Sequence, residues 1–216
     1  MTGLRAKWVM DRVVAALALI VMLPVMLLIA AVIELEHPGL PVFFADLVAG
    51  LDGKPFRFWK FRTMLPHAID YDNRPEVHPE NPLVTGVGRW LRRFKLDELP
   101  QLAHVVAGQM SLVGPRPMHV TRYERVSAFF RQRVLVRPGL TGIAQVSGNI
   151  DLSWDERMEM DIWYIRHWSM KLDLEIIYRT FGVILFGEEV LEEFAMSRRI
   201  RDHSVRVTAP GEKERG

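Results

Sequence analysis

Asp97 and Glu98 are neighbouring carboxylates in the run Arg92-Arg93-Phe94-Lys95-Leu96-Asp97-Glu98-Leu99-Pro100-Gln101, with cations before them and a proline just after. Proline suits the first turn of a helix, so Pro100 places a helix start close to the pair. Unsatisfied amides at such a start, with the helix dipole, stabilise a carboxylate and equally a bound phosphate. Successive residues on a helix point ~100° apart, so the two acids divide their work: one faces a substrate while the other orients a partner. An ionised aspartate repels an anionic phosphate, so a site of this kind calls for a divalent cation and nearby arginines. Taken alone, the same pair is an acidic helix cap flanked by surface salt bridges.

Three further clusters bear on that choice. Lys60-Phe61-Arg62-Thr63-Met64 sets two cations at i and i+2, which share one side of a strand. Met110-Ser111-Leu112-Val113-Gly114-Pro115-Arg116-Pro117 holds Arg116 between two prolines, stiffening its backbone for bidentate phosphate contact. Arg137-Pro138-Gly139-Leu140-Thr141-Gly142-Ile143-Ala144-Gln145-Val146-Ser147-Gly148 is rich in turn residues. Asp161 is a carboxylate on the mostly apolar stripe Trp154, Met158, Ile165, Trp168, and calls either for an arginine partner or for a functional role. The chain has no cysteine, which excludes zinc-thiolate sites, iron–sulfur clusters and thiol nucleophiles. Its histidines show no metal-ligand spacing, and no Walker loop is present.

Charge is distributed unevenly around these clusters. The net charge is only +2, which does not suggest nucleic acid, but residues 89–137 carry ten Lys or Arg against three acids. Residues 151–193 carry eleven acids against four bases. The basic block is either a surface for an anionic ligand or a solvated face.

The elements that position these residues begin with Val13 to Ile33, twenty-one residues without a charge, long enough to cross a ~30 Å hydrocarbon core. The run is too long for a signal peptide, and Glu34-Leu35-Glu36-His37 is a poor cleavage region. Pro24 sits near its centre and divides it into halves of about ten residues, neither of which crosses alone. Basic residues on both flanks (Arg5, Lys7 and Arg12 before; Lys54, Arg57, Lys60 and Arg62 after) hold both ends on the cytoplasmic side. A re-entrant helix that turns back at Leu23-Pro24 is therefore preferred over a single crossing. Beyond it, the spacing predicts short strands at 41–44 and 56–61 around a Leu51–Lys54 turn, a loop over 65–82, and a short helix over 99–106. Residues 129–136 fit helix or strand. Ser153-Trp154-Asp155-Glu156 has the form of a capping box opening a helix to about Trp168. Residues 176–186 suit the membrane surface or core packing, and the tail from Ser197 is polar. The expected fold is α/β: a membrane-embedded helix over 1–37, a compact mixed domain with interfacial helices over 38–195, and a tail over 196–216.

Together the four clusters, in this order, resemble the bacterial sugar transferase family, the monotopic phosphoglycosyl transferases, from about Lys7 to Thr180. The resemblance implies transfer of a sugar-1-phosphate from a UDP-sugar to undecaprenyl phosphate with release of UMP, at the cytoplasmic face of the bacterial inner membrane. It places the aspartate nucleophile on Asp97, which also contacts Mg²⁺, and the partner glutamate on Glu98. Phosphate-binding arginines fall on Arg92 and Arg116, and further substrate-binding positions on Lys60, Arg62, Gln145 and Asp161. The expected partners are the two substrates and the membrane, with a homodimer allowed and no nucleic acid. The chain departs from the family pattern at Leu23, Ala45-Asp46-Leu47-Val48-Ala49, Lys95, Gln109 and Asn149. The altered 45–49 stretch and Asn149 favour a second class of function, a catalytically silent homologue that binds nucleotide sugars or recruits glycan-assembly partners. Intact Asp97, Glu98 and Arg116 favour an active enzyme.

Overall fold

The computed structural model describes residues 2–65, 81–148 and 152–186. The expected loop at 65–82 therefore lies almost wholly outside the described residues, as do Asn149 and the 196–216 tail. Within them the fold is mixed α/β, with a long apolar N-terminal helix, a three-stranded sheet and a two-stranded sheet.

Helix α1 spans Thr2–Glu36. Its 35 residues give a length of about 52 Å at 1.5 Å per residue. Pro24 lies inside it, and the helix is continuous through that position rather than split into two separate halves. Proline there deprives one carbonyl of its partner without ending the helix, because bonding resumes on both sides. Most of its large apolar residues are exposed, among them Val13, Leu17, Ile20, Val21, Leu23, Leu27 and Leu28. Both of its ends nevertheless rest on the rest of the chain. Near the start, Lys7 Nζ is 2.9 Å from Asp173 Oδ2, and Arg12 Nε donates to Val106 O at 2.8 Å. At the far end Glu36 Oε1 accepts from Val87 N at 3.1 Å.

The predicted hairpin is present, with its first strand starting two residues later than expected. Strand β1 (Phe43–Ala49) pairs antiparallel with β2 (Pro55–Phe61), from Phe43↔Phe61 to Ala49↔Pro55. A 3-10 turn at Leu51–Gly53 joins them, with Asp52 and Gly53 at φ 57° and 75°. Helices α2 (Gly86–Arg93) and α3 (Gln101–Ala107) follow, the second matching the helix expected near 99–106. Strand β3 (Ser111–Val113) leads into Gly114-Pro115-Arg116-Pro117, and β4 (Met118–His119) adds to the free edge of β1. Short helices α4 (Val120–Arg125) and α5 (Ala128–Arg131) precede a 3-10 turn at Gln132–Leu135, so the ambiguous 129–136 stretch is mostly helical. Strand β5 (Gly139–Thr141) runs parallel to β3. Glycine is required where these two meet: a side chain on Gly139 would collide with the backbone of Gly114. That close approach joins the third and fourth sequence clusters.

Helix α6 (Trp154–His167) opens with both halves of the capping box, Ser153 Oγ accepting from Glu156 N and Glu156 Oε2 accepting from Ser153 N at 2.8 Å. Helix α7 (Met170–Phe186) buries Leu172, Ile176 and Val183 against Ile143, Val146, Met160 and Tyr164. Core packing thus holds for one face of this segment, and the opposite face leaves Leu174, Tyr178, Phe181 and Leu185 exposed. Two further clusters seat α1 on the domain, Ala15 with Leu102 and Val105, and Ile29 and Ile33 with Phe61 and Leu91.

Candidate active site

Asp97 and Glu98 occupy a 3-10 turn at Leu96–Glu98, entered through Lys95 in the left-handed region (φ 55°, ψ 21°). Pro100 then sets the backbone for α3, which starts at Gln101. The tight turn sends the two carboxylates into different surroundings. Asp97 is 6% exposed, whereas Glu98 faces Arg116, with Oε1 3.5 Å from Nη2. The two adjacent acids therefore meet different environments, as their angular separation predicts.

Cations reach Asp97 from three elements. Lys60 comes from β2, its Nζ 5.7 Å from the centroid of the Phe44 ring. Arg92 comes from the last turn of α2, its Nε donating to Thr63 Oγ1 at 3.0 Å with Nη2 3.2 Å from Met64 Sδ. Lys95 adds its charge from the turn itself. Burial pushes the Asp97 carboxyl above its ordinary value, and the Glu98 charge pushes it further, while Lys60, Arg92 and Lys95 oppose both. Burial lowers Lys60, aided by Arg116 and Arg92 and opposed by Asp97 and Glu98. The arrangement is a desolvated carboxylate at the floor of a cationic patch, suited to holding a polyanion while presenting an oxygen nucleophile to it.

Arg116 is placed by a residue that sequence reasoning missed. Arg133 Nη2 donates to Arg116 O at 2.9 Å, and Arg133 Nε donates to Asp161 Oδ2 at 2.9 Å. Asp161 is 1% exposed; burial raises its carboxyl and Arg133 opposes that rise. Asp161 thus holds the residue that holds Arg116. The apolar stripe on α6 signalled that an arginine partner was needed, but nothing local distinguished Arg133 from its neighbours. Arg62 does not join the group around Asp97. It lies just past the end of β2, its guanidinium is lowered by burial alone, and its Nη1 has no hydrogen-bond partner among the described residues. Gln145 Nε2 donates to Leu140 O at 3.2 Å, and its Oε1 is buried without a partner among the described residues.

Among the described residues no three His, Asp or Glu converge as a metal cage. A cation here would draw on Asp97 and Glu98, with water and substrate phosphates completing its oxygen shell. That donor set fits Mg²⁺, which is commonly held by one or two carboxylates plus phosphates, and the repulsion between the two acids gives it something to relieve.

The family model for bacterial sugar transferases matches residues 2–187. The chain is 39% identical over 166 residues to the uncharacterized sugar transferase EpsL of Bacillus subtilis, covering 77% of this chain and 80% of that one. It is 41% identical over 179 residues to the UDP-glucose:undecaprenyl-phosphate glucose-1-phosphate transferase of Escherichia coli, covering 79% of this chain and 38% of that protein. It is 35% identical over 199 residues to the exopolysaccharide production protein ExoY of Rhizobium meliloti, covering 84% and 86%. The chain thus spans most of the short relatives and about two fifths of the glucose-1-phosphate transferases. With the motifs in order and the carboxylate pair in its cationic surround, this chain belongs to the bacterial sugar transferase family.

Proposed function

We propose that the chain is a phosphoglycosyl transferase that moves a sugar-1-phosphate from a UDP-sugar to undecaprenyl phosphate through a covalent intermediate on Asp97. An Asp97 carboxylate oxygen attacks the sugar-bearing phosphorus, the bond from that phosphorus to the oxygen of the leaving nucleotide breaks, and UMP departs. An oxygen of the acceptor phosphate then attacks the same phosphorus and frees the Asp97 carboxylate, leaving a lipid diphosphosugar. The observation that carries this reading is Asp97 itself, buried yet within the fields of Lys60, Arg92 and Lys95, with Arg116 held beside Glu98. Mg²⁺, held by Asp97 and Glu98, would neutralise charge on the donor diphosphate. Splitting one exchange into two displacements spares the enzyme from binding two bulky substrates together.

The acceptor phosphate lies at a bilayer surface, and α1 supplies the anchor at that depth. Its ends both rest on the same domain while its middle is exposed and apolar, which supports a re-entrant helix over a crossing one. The exposed stripe on α7 supports an interfacial role for that helix. In this reading the enzyme sits at the cytoplasmic face of the inner membrane. Relatives named for UDP-glucose and for UDP-galactose suggest these donors for a first panel.

Incubating the enzyme with Mg²⁺ and each donor labelled in the sugar should leave label on the protein after denaturation, and Asp97→Asn should abolish it. Label that persists in Asp97→Asn, or no UMP release with any donor and undecaprenyl phosphate, overturns the proposal.

A further inference from the structure

Arg137 opens the fourth sequence cluster, yet its side chain takes no part in the group around Asp97. Its backbone carbonyl abuts Gly114, while its guanidinium lies beside Gly108, the left-handed residue that ends α3. Asp97 precedes the other end of that helix, so the seven residues of α3, about 10 Å, separate the two. The guanidinium stacks on Trp8, with Cζ 4.3 Å from the ring centroid. Among the described residues it makes no hydrogen bond or ion pair, and its Nε is buried without a partner.

A second cation stands next to it. Arg12 spends its Nε on Val106 O, and its Cζ would lie 3.7 Å from a methyl placed on Gly108, with Arg137 Nη1 3.5 Å from the same point. Two guanidinium groups therefore converge on a space that glycine leaves open. Burial lowers Arg137, and the like charge of Arg12 lowers it further. The nearest acid, Asp11, is already engaged by Lys7, by Ser111 Oγ and by Leu112 N. Counting Asp173 on Lys7, three cations face two carboxylates among the described residues, an excess of one positive charge. A crevice of about 10 Å³, hardly room for one water, adjoins Arg137, walled by Leu4, Trp8, Val136, Ile165 and Trp168.

On the proposed reading of α1 as a membrane helix, position along it identifies the ligand. Arg12 and Trp8 sit on the turn of α1 where exposed apolar surface begins, with Val9, Met10 and Val13 all open. Tryptophan and arginine at such a boundary meet the phosphate layer of a bilayer, and planar guanidiniums suit a phosphate ester. We propose that Arg12, Arg137 and Trp8 form a binding site for the phosphate of an anionic glycerophospholipid, whose apolar portion lies along the exposed apolar surface of α1 that begins at Val9. The site is separate from the carboxylate pair and fixes the lipid contact of α1 at the same strand-and-loop unit that carries Arg116.

Lipid binding to the full chain in detergent, followed by native mass spectrometry, tests this apart from any transfer reaction. Wild type should retain phosphatidylglycerol over phosphatidylcholine. Arg12→Gln and Arg137→Gln should each weaken that binding about fivefold and the pair about thirtyfold, while the exposed flank variant Arg5→Gln changes it by no more than about twofold. Should Arg137→Gln fail to fold by circular dichroism, the exposed Arg12→Gln and the charge-preserving Arg137→Lys carry the test, the second losing affinity with the planar fork. Equal losses in Arg5→Gln and Arg12→Gln would reduce the site to diffuse surface charge. Displacement by inorganic phosphate at millimolar concentration, or preference for a polyprenyl phosphate over phosphatidylglycerol, would overturn it in favour of a free-phosphate or an acceptor site.

Discussion

A buried carboxylate beside another acid costs the folded state free energy, and Asp97 carries that cost. Burial and Glu98 raise its folded value above the unfolded one, against the pull of Lys60, Arg92 and Lys95. The folded state then holds the proton more tightly than the unfolded chain. Stability consequently falls as pH rises from the ordinary aspartate range through the raised folded value. In the proposed mechanism Asp97 must be ionised to attack phosphorus, so activity should have the opposite trend and decline as pH drops through the same value. Asp97→Asn removes the buried charge, and in metal-free buffer near neutral pH it should melt about 2–4 °C above wild type. Thermal melts across a pH series check both parts; a lower melting temperature for the variant would contradict the assigned cost.

At the scale of elements, the loop bearing Arg116 depends on an ion pair between the 3-10 turn at Gln132–Leu135 and α6. Arg133 is 7% exposed and Asp161 1%, so removing one partner strands the other's charge in the interior. Arg133→Met should cost about 3–5 kcal/mol in denaturant unfolding, because it leaves Asp161 uncompensated and Arg116 O without its donor. The double variant Arg133→Met with Asp161→Leu should recover much of that loss, since both charges are gone. Equal destabilisation in single and double variants would refute the pairing as the source. The same elements mark how far local pattern carries. The capping box at Ser153 was legible because all its atoms lie within four residues. The stretch at 129–136 was not, because a short apolar run has no period long enough to separate helix from strand. The i, i+2 spacing of Lys60 and Arg62 assigns both to one strand face, but β2 ends at Phe61, before the second of them.

For the molecule as a whole, the arrangement that matters is a 35-residue helix with both ends on one body. Its first turns are locked by a buried network in which Lys7 meets Asp11 at 3.0 Å and Asp173 at 2.9 Å, and Tyr164 donates to Asp173 at 2.6 Å. Its last turn is held at α2 through Glu36. The chain has no cysteine, so single introduced thiols report without background. Arg5→Cys and Pro38→Cys should both resist an impermeant maleimide in intact spheroplasts and both react after permeabilisation. Labelling of just one from outside would mean that α1 crosses the bilayer and that its packing on the domain is lost in the membrane.

What the sequence by itself determined is local: the long apolar helix with its proline, the carboxylate pair ahead of a helix, the capping box and the order of motifs that marks the family. Each depends on residues a few positions apart, where backbone geometry alone relates them. Tertiary structure decided which distant polar groups meet. Arg133 reaches Asp161 across 28 residues, Arg12 reaches Val106 across 94, and Ser111 reaches Asp11 across 100. Such pairings are set by how α1, the hairpin and α6 pack, and packing is chosen by the burial of the whole apolar surface, which no short window of sequence contains.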